Sequence, residues 1–240
     1  MSLIFVKQCI CVYISDKCRK EFKPNIEIAD KDKEKCLMFA RNMAYGEKHN
    51  PKSFGSAEKN YIREKQEIFR DAFQGKLAEI AFYNYYVKRG FSLNKPDFSE
   101  WNRGKWEDTD FTAEFNNKEY RISIKSTKYF GNLLLLEKDR YNEQGLYIET
   151  ADDQTKGVKY DLIFLVRIKG VDGSNPNVYD KKKLSAIEAE ITGFITHEEF
   201  KKAIKSGKYL AKGWLINGKE KLKVDNYYFC ANELKRPADG

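Results

Sequence analysis

The stretch EYRISIKSTKYFGN, residues 119–132, alternates polar and apolar side chains along its first seven positions. Such alternation is typical of a β-strand with one buried face, because successive side chains point to opposite sides of a sheet. The apolar face holds Tyr120, Ile122 and Ile124, and the polar face holds Glu119, Arg121, Ser123 and Lys125. The polar face thus presents an arginine, a hydroxyl and a lysine, and the strand then ends in a polar run of serine, threonine and lysine.

A second short strand precedes this one. The segment DFTAEF, residues 110–115, alternates in the same way, and Asn116 and Asn117 provide a turn between the two segments. Counting outward from the turn places Asp110 at the same end of the predicted hairpin as Ser123 and Lys125. We therefore expect these three side chains to share one face of the sheet.

Further strands and several helices surround the hairpin. The predicted helices span residues 28–46, 75–91 and 197–207, and the further strands span residues 160–170, 189–195 and 224–234. A capping box of Thr196 and Glu199 begins the last helix. The first of the further strands is almost continuously apolar, as expected for a strand covered on both faces. This order predicts an α/β (α+β) fold, with a mixed central β-sheet flanked by helices.

The composition is that of a folded, basic protein. Hydrophobic residues make up 41% of the 240 residues, and the formal net charge is +8. This charge favours a polyanionic partner, nucleic acid before membrane. No apolar run approaches the roughly 18 residues that a bilayer span needs. Residues 1–15 carry no basic leader and no cleavage site, so we expect an N-terminal strand there rather than a signal peptide.

Cysteine and histidine limit the compartment and the possible metals. The five cysteines are scattered and contain no Cys-x-x-Cys pair: Cys9, Cys11, Cys18, Cys36 and Cys230. This pattern favours reduced thiols in the cytoplasm over a disulfide framework or a zinc knuckle. Because only His49 and His197 are present, a metal site would be built mostly from oxygen ligands, which favours Mg²⁺.

Asp110, Ser123 and Lys125 together offer a carboxylate, a hydroxyl and an ammonium group. A carboxylate can hold a divalent cation, and a lysine can orient the water that the cation acidifies. Hydrolysis of a phosphodiester needs these functions. The alternative is a solvated sheet face that bears an ordinary Asp–Lys ion pair.

Glu79 is an acid inside the most apolar part of its helix, the segment LAEIAF. An acid in such surroundings needs a cation, a proton or a metal as its partner. It is therefore a candidate metal ligand. The alternative is a helix-surface glutamate paired with Lys76 or Tyr83.

Three segments in this order resemble the PD-(D/E)XK nuclease superfamily, particularly its type II restriction endonucleases. They are GKLAEIAFYNYYVKRGF, DTDFTAEF and EYRISIKST. The resemblance implies a restriction-endonuclease-like core that cleaves double-stranded DNA with Mg²⁺. It makes Asp110 the motif aspartate and a metal ligand, with Asp108 as a weaker claimant. It also makes Lys125 the motif lysine and Glu79 a metal ligand contributed by a helix.

The chain departs from the family pattern at Ser123, where an Asp or Glu is expected. Some restriction enzymes of this superfamily have a serine there and bring the acid from a helix about a dozen residues downstream. In this chain that region reads GNLLLLEKDRYN, which offers Glu137, our preferred metal ligand, or Asp139. Either acid could instead be a surface charge. Glu79 would then complete the metal shell, or the domain would be inactive.

The resemblance also implies an organisation and a set of DNA contacts. We expect one domain over residues 1–240: a strand and helical extension (1–74), the catalytic core (75–170), and C-terminal strands with a basic helix (171–240). The candidate DNA contacts are Arg103, Lys105, Arg121, Ser126, Thr127 and Lys128. The loop SEWNRGKWED, which holds the first two, could instead pack its tryptophans over the sheet.

The sequence therefore predicts a Mg²⁺-dependent endodeoxyribonuclease, a type II restriction enzyme that acts in the cytoplasm as a homodimer. Dimerisation is expected because two related active sites best cut the two strands of a duplex. Two alternatives remain. One is a repair or recombination nuclease of the same superfamily, and the other is a nucleic-acid-binding module that has lost its second acid.

Overall fold

A four-stranded mixed sheet forms the centre of the computed structural model, which describes residues 16–46, 64–99, 109–115, 117–148, 157–171, 173, 175–216 and 220–237. Its strands, in spatial order, are β1 (Phe111–Phe115), β2 (Lys118–Lys128), β4 (Leu162–Lys169) and β5 (Glu188–Thr196). β2 runs antiparallel to β1 and parallel to β4, and β5 runs antiparallel to β4. Asn117 adopts a φ of 57° in the β1–β2 turn, a conformation that asparagine tolerates well.

Two long helices, α1 (Asp30–Tyr45) and α2 (Lys65–Val87), cover one face of this sheet. They bury a cluster that we call the helical core. Phe82 of α2 lies 5.1 Å from the ring centre of Phe111 and 4.9 Å from that of Phe164. Ile122 and Ile124 of β2 also face this core. The short helix α3 (Lys181–Ser185) lies beside α1.

The opposite face of the sheet packs against a second layer. This layer contains a three-stranded sheet in the order β3 (Leu133–Glu137), β9 (Asn226–Cys230), β6 (Tyr209–Leu210), together with helix α4 (His197–Lys205). Between the layers lies what we call the second core, in which Phe200 of α4 packs against Tyr141 and Tyr227. A short antiparallel pair, β7 (Leu215–Ile216) with β8 (Glu220–Lys221), completes the described strands.

The predicted class, a mixed sheet flanked by helices, is confirmed. β4 is buried on both faces as predicted, since Phe164 and Val166 lie in the helical core and Ile163 and Leu165 in the second core. The predicted capping box at Thr196 is also present. Among the described residues, no helix has the length and apolar character to cross a bilayer.

The expected helix downstream of β2 is wrong, because residues 133–137 form strand β3. Leucine is a good helix former, but tertiary pairing with β9 decides the outcome here. Leu134 and Leu136 enter the second core, and Leu133 enters a third small cluster on the other face. A strand buried on both faces needs a continuous apolar run, which is also what a helix pattern can show.

The expectation of reduced thiols is wrong for one pair of cysteines. Cys18 and Cys230 form a disulfide that joins the N-terminal segment to β9. Cys36 is a free thiol, and burial raises its pKa well above the usual range. The predicted N-terminal strand over residues 1–15, with Cys9 and Cys11, lies outside the described residues.

A buried arginine holds the N-terminal segment on the sheet. Arg167 of β4 is 1% exposed and lies opposite Glu190 of β5, with Nη2 2.5 Å from the Glu190 carboxylate. Its remaining donors reach the carbonyl oxygens of Lys20 (2.8 Å) and Glu21 (2.7 Å). The Asn25 side chain then bonds both backbone groups of Ile191, so the segment covers the open edge of β5.

Replacing this arginine should destabilise the fold strongly. In Arg167→Met the Glu190 carboxylate stays buried without its cation, so we expect the free energy of unfolding to fall by about 3–5 kcal/mol. Urea unfolding followed by circular dichroism measures the loss. The matched control is Lys169→Met, which breaks the exposed Lys169–Glu188 pair on the same two strands and should leave the midpoint nearly unchanged. Equal effects of the two substitutions would contradict this role.

Candidate active site

The carboxylate of Asp110 is held against the backbone of β2. The pairing of β1 with β2 ends at Phe111 opposite Ile122, so the amide of Ile124 lies beyond the paired part of β1. That amide donates to Asp110 Oδ2 at 2.6 Å. Asp110 therefore sits beside the residue between Ser123 and Lys125, as the hairpin count predicted. Its Oδ1 has no hydrogen-bond partner among the described residues.

Ser123 and Lys125 lie on the face of β2 that is turned toward the second core. Their partners in the parallel register, Ile163 and Leu165, both belong to that core. Ser123 is buried and Lys125 is half-buried. Within the described part of the chain, no carboxylate lies within 4 Å of the Lys125 ammonium group. The ordinary Asp–Lys ion pair, the alternative that the sequence left open, is therefore not formed.

The loop after β3 adds groups that the sequence did not single out. Burial raises the pKa of the Tyr141 phenol well above its usual range, and the nearby Tyr160 and the Asp110 carboxylate add to this rise. Tyr141 belongs to the second core, on the side of the sheet that Ser123 and Lys125 face. Its position in the sequence, within the segment EKDRYN, was the only available signal.

Glu137 lies at the end of β3, next to this loop. Its carboxylate forms an ion pair with Arg140, three residues later, and both side chains are half-buried. Arg140 in turn acts on the phenol of Tyr141, whose pKa it lowers against the stronger effect of burial. Asp139 is exposed, in the 3₁₀ turn Lys138–Arg140. The preferred second acid is therefore held by a guanidinium group.

The structure does not bring Glu79 to this group. Glu79 pairs with Lys76, whose Nζ lies 2.6 Å from Glu79 Oε2 and 2.6 Å from the carbonyl oxygen of Asp97. The same ammonium lies 4.9 Å and 5.4 Å from the ring centres of Phe39 and Phe98. These contacts lie on the helical side of the sheet, opposite the face of Lys125. The pairing with Lys76 that the sequence left open is thus the one observed.

We expect Glu79 to contribute to stability. Glu79→Gln leaves the nearly buried Lys76 without its counter-charge, and the free energy of unfolding should fall by about 2 kcal/mol. Glu67→Gln is the matched control on the same helix, because Glu67 pairs with the exposed Lys223 and should cost much less. Denaturant unfolding of both variants tests this, and equal stability of Glu79→Gln and the wild type would contradict it.

Three of the candidate DNA contacts lie together at the end of β2. Ser126, Thr127 and Lys128 continue β2 beyond Lys125 and are half-buried. Arg121 is exposed near the other end of the strand, where its backbone amide bonds the Asp161 side chain. Arg103, Lys105 and the alternative aspartate Asp108 lie outside the described residues.

The oxygen donors at this site suit magnesium in type. Asp110 offers a carboxylate oxygen that has no hydrogen-bond partner among the described residues, and Ser123 offers a hydroxyl. Glu137, at the end of β3, would have to leave Arg140 to add a second carboxylate. In the described ranges, no three Asp, Glu, His or Cys side chains lie close enough to hold a metal together. Mg²⁺ often keeps several waters and binds through one or two carboxylates and substrate phosphates, so this donor set fits a hydrated ion that DNA helps to hold.

Comparison of the chain with known protein families, with curated proteins and with solved structures finds no match in any of the three. The functional assignment therefore depends on the site geometry and on the motif resemblance.

Proposed function

We propose that the protein is a Mg²⁺-dependent endodeoxyribonuclease that hydrolyses double-stranded DNA, a type II restriction enzyme with a restriction-endonuclease-like core that acts as a homodimer. One observation carries the proposal. Asp110 is fixed against the β2 backbone between Ser123 and a half-buried Lys125 that has no carboxylate partner within 4 Å among the described residues. The cytoplasmic location stays a prediction, and the Cys18–Cys230 disulfide is an observation against it.

The lysine supports a catalytic role because its charge is not otherwise used. Lys125 is half-buried, and a lysine that is partly covered for structural reasons normally has an acid beside it. On a DNA substrate the phosphate would supply that negative charge. Lys125 could then hydrogen-bond the attacking water or stabilise the charge that develops on the phosphate as the P–O bond breaks.

Asp110 and Glu137 would hold the metal. When bound, magnesium neutralises the phosphate and acidifies a water. The hydrogen bond from the Ile124 amide orients the Asp110 carboxylate and leaves its other oxygen for the ion. Glu137 would join only by exchanging its contact with Arg140, and Arg140 would then be available to a DNA phosphate.

Cleavage of unmethylated plasmid DNA tests the proposal. We expect cleavage with Mg²⁺ and none in EDTA. Lys125→Ala should lower the cleavage rate by about 100-fold or more while DNA binding persists, because the group acts on the reaction rather than on affinity. Asp110→Asn keeps an acceptor for the Ile124 amide and should also lose cleavage.

Lys118→Ala is the matched control, since Lys118 is an exposed lysine at the opposite end of the same strand. This variant should cleave at the wild-type rate. Glu79→Gln should do the same under conditions in which it is folded. Full activity in EDTA would rule out the metal mechanism. A wild-type rate for Lys125→Ala would show that the catalytic site lies elsewhere.

A second candidate function has its own supporting observation. Glu137 and Glu79 are both engaged by cations, and no three-acid cluster occurs in the described chain. A nucleic-acid-binding module that has lost catalysis would look the same. Calorimetry separates the two functions. An active site should bind Mg²⁺ and lose this binding in Asp110→Asn, whereas an inactive site should show no Mg²⁺ binding that depends on Asp110.

A further inference from the structure

A cleft of about 250 Å³ opens beside the end of β2. It lies between the first half of α2 and the segment that leads from β2 into β3. Its polar lining comes from Arg70, Asp71, Gln74, Ser126, Thr127, Lys128 and Asn132, and its apolar lining from Phe130, Leu133, Leu135 and Ile216. The cleft begins at the residue directly after the proposed catalytic lysine.

The polar groups of the cleft are mixed donors and acceptors. Gln74 Nε2 donates to Ser126 Oγ at 3.2 Å, which joins α2 to β2 and fixes the amide in place. The Asp71 carboxylate lies 3.2 Å from Arg70 Nε. The negative charge of this carboxylate would repel a phosphate. The cleft is therefore not built for an inorganic anion. A nucleobase edge, which carries both donors and acceptors, suits an amide, two hydroxyls and a carboxylate.

The apolar lining suits the faces of a base. Apolar contact surface beside the polar groups comes from Leu133, Leu135 and the ring of Phe130. Phe130 is 49% exposed and Tyr129 is 38% exposed, although large aromatic side chains are usually covered. Their rings form an edge-to-face pair 5.2 Å apart, and Phe130 lines the cleft. Exposed aromatic rings beside cations are the arrangement that unpaired bases stack on.

The volume is below the range of about 300–1,000 Å³ that is usual for drug-sized ligands. It suits one base better than a longer segment of strand. A paired base keeps its hydrogen-bonding edge inside the duplex, so the base that enters must be unpaired or turned out of the stack. Lys128 at the rim would contact the phosphate attached to it.

We propose that this cleft binds one unpaired nucleobase of a DNA strand, with Gln74 and Asp71 reading its edge. The identification of the nucleic acid as DNA depends on the proposed function, because the proposed catalytic Lys125 lies on β2, two residues before Thr127 of the cleft. The cleft itself is built independently of Lys125 and Asp110. The inference therefore extends the proposed function to DNA that is bulged or locally opened.

Binding of two short DNA duplexes in EDTA tests the inference without any cleavage. The duplexes share one sequence, and one of them carries a single extra, unpaired nucleotide. By fluorescence anisotropy, the wild type should bind the bulged duplex about tenfold more tightly, as expected for one stacked base. Gln74→Ala and Asp71→Asn should each reduce this preference, and the double variant should abolish it.

Lys118→Ala is again the control and should keep the preference in full. Alanine is a strong helix former, and unfolding curves will show that α2 is intact in Gln74→Ala. Equal affinity of the wild type for both duplexes overturns the inference, and so does a preference that survives in the double variant.

Experiments can contradict the cleft proposal and the nuclease proposal independently of each other. Cleavage with Mg²⁺ but no preference for the bulge would remove the cleft proposal and leave the nuclease. A preference for the bulge that Lys125→Ala retains, without any cleavage by the wild type, would remove the nuclease and leave the cleft.

Discussion

The parallel pairing of β2 with β4, between two separate cores, is the constraint on which the rest of the structure depends. Because side chains alternate along β2, this pairing directs Ile122 and Ile124 to the helices and Ser123 and Lys125 to the second layer. A shift of one residue would exchange the two sets and bury the lysine under α2. The position of the candidate site is thus a consequence of core packing.

The end of strand pairing is as important as the pairing itself. β1 begins one residue after Asp110, and the side chain of that aspartate accepts from the Ile124 amide where a further strand residue would otherwise pair. The carboxylate satisfies a backbone donor and remains oriented toward the lysine side. One hydrogen bond therefore serves both the sheet edge and the proposed chemistry. Elsewhere, Arg167 of β4 and the Cys18–Cys230 disulfide hold the segment of residues 18–21.

Local periodicity was sufficient for the hairpin, for the doubly buried β4 and for the capping box at Thr196, because each depends on neighbours in sequence. It failed at residues 133–137, where four leucines satisfy helix and buried-strand patterns equally and the distant β9 decides between them. Local periodicity also did not decide whether Lys76 or Tyr83 is the partner of Glu79. Lys76 was available in sequence, but its burial between Phe39 and Phe98 exists only after α1 packs on α2.

The sequence by itself determined which side chains share a face of β2, and hence that Asp110, Ser123 and Lys125 belong together, because alternation is a property of the extended backbone. Only the tertiary structure decided what surrounds them. It placed Glu79 on the opposite side of the sheet, tied Glu137 to Arg140, and brought Gln74 of α2 against Ser126 to form a cleft. These contacts join residues from separate elements, and their geometry is set by how the layers pack around two cores.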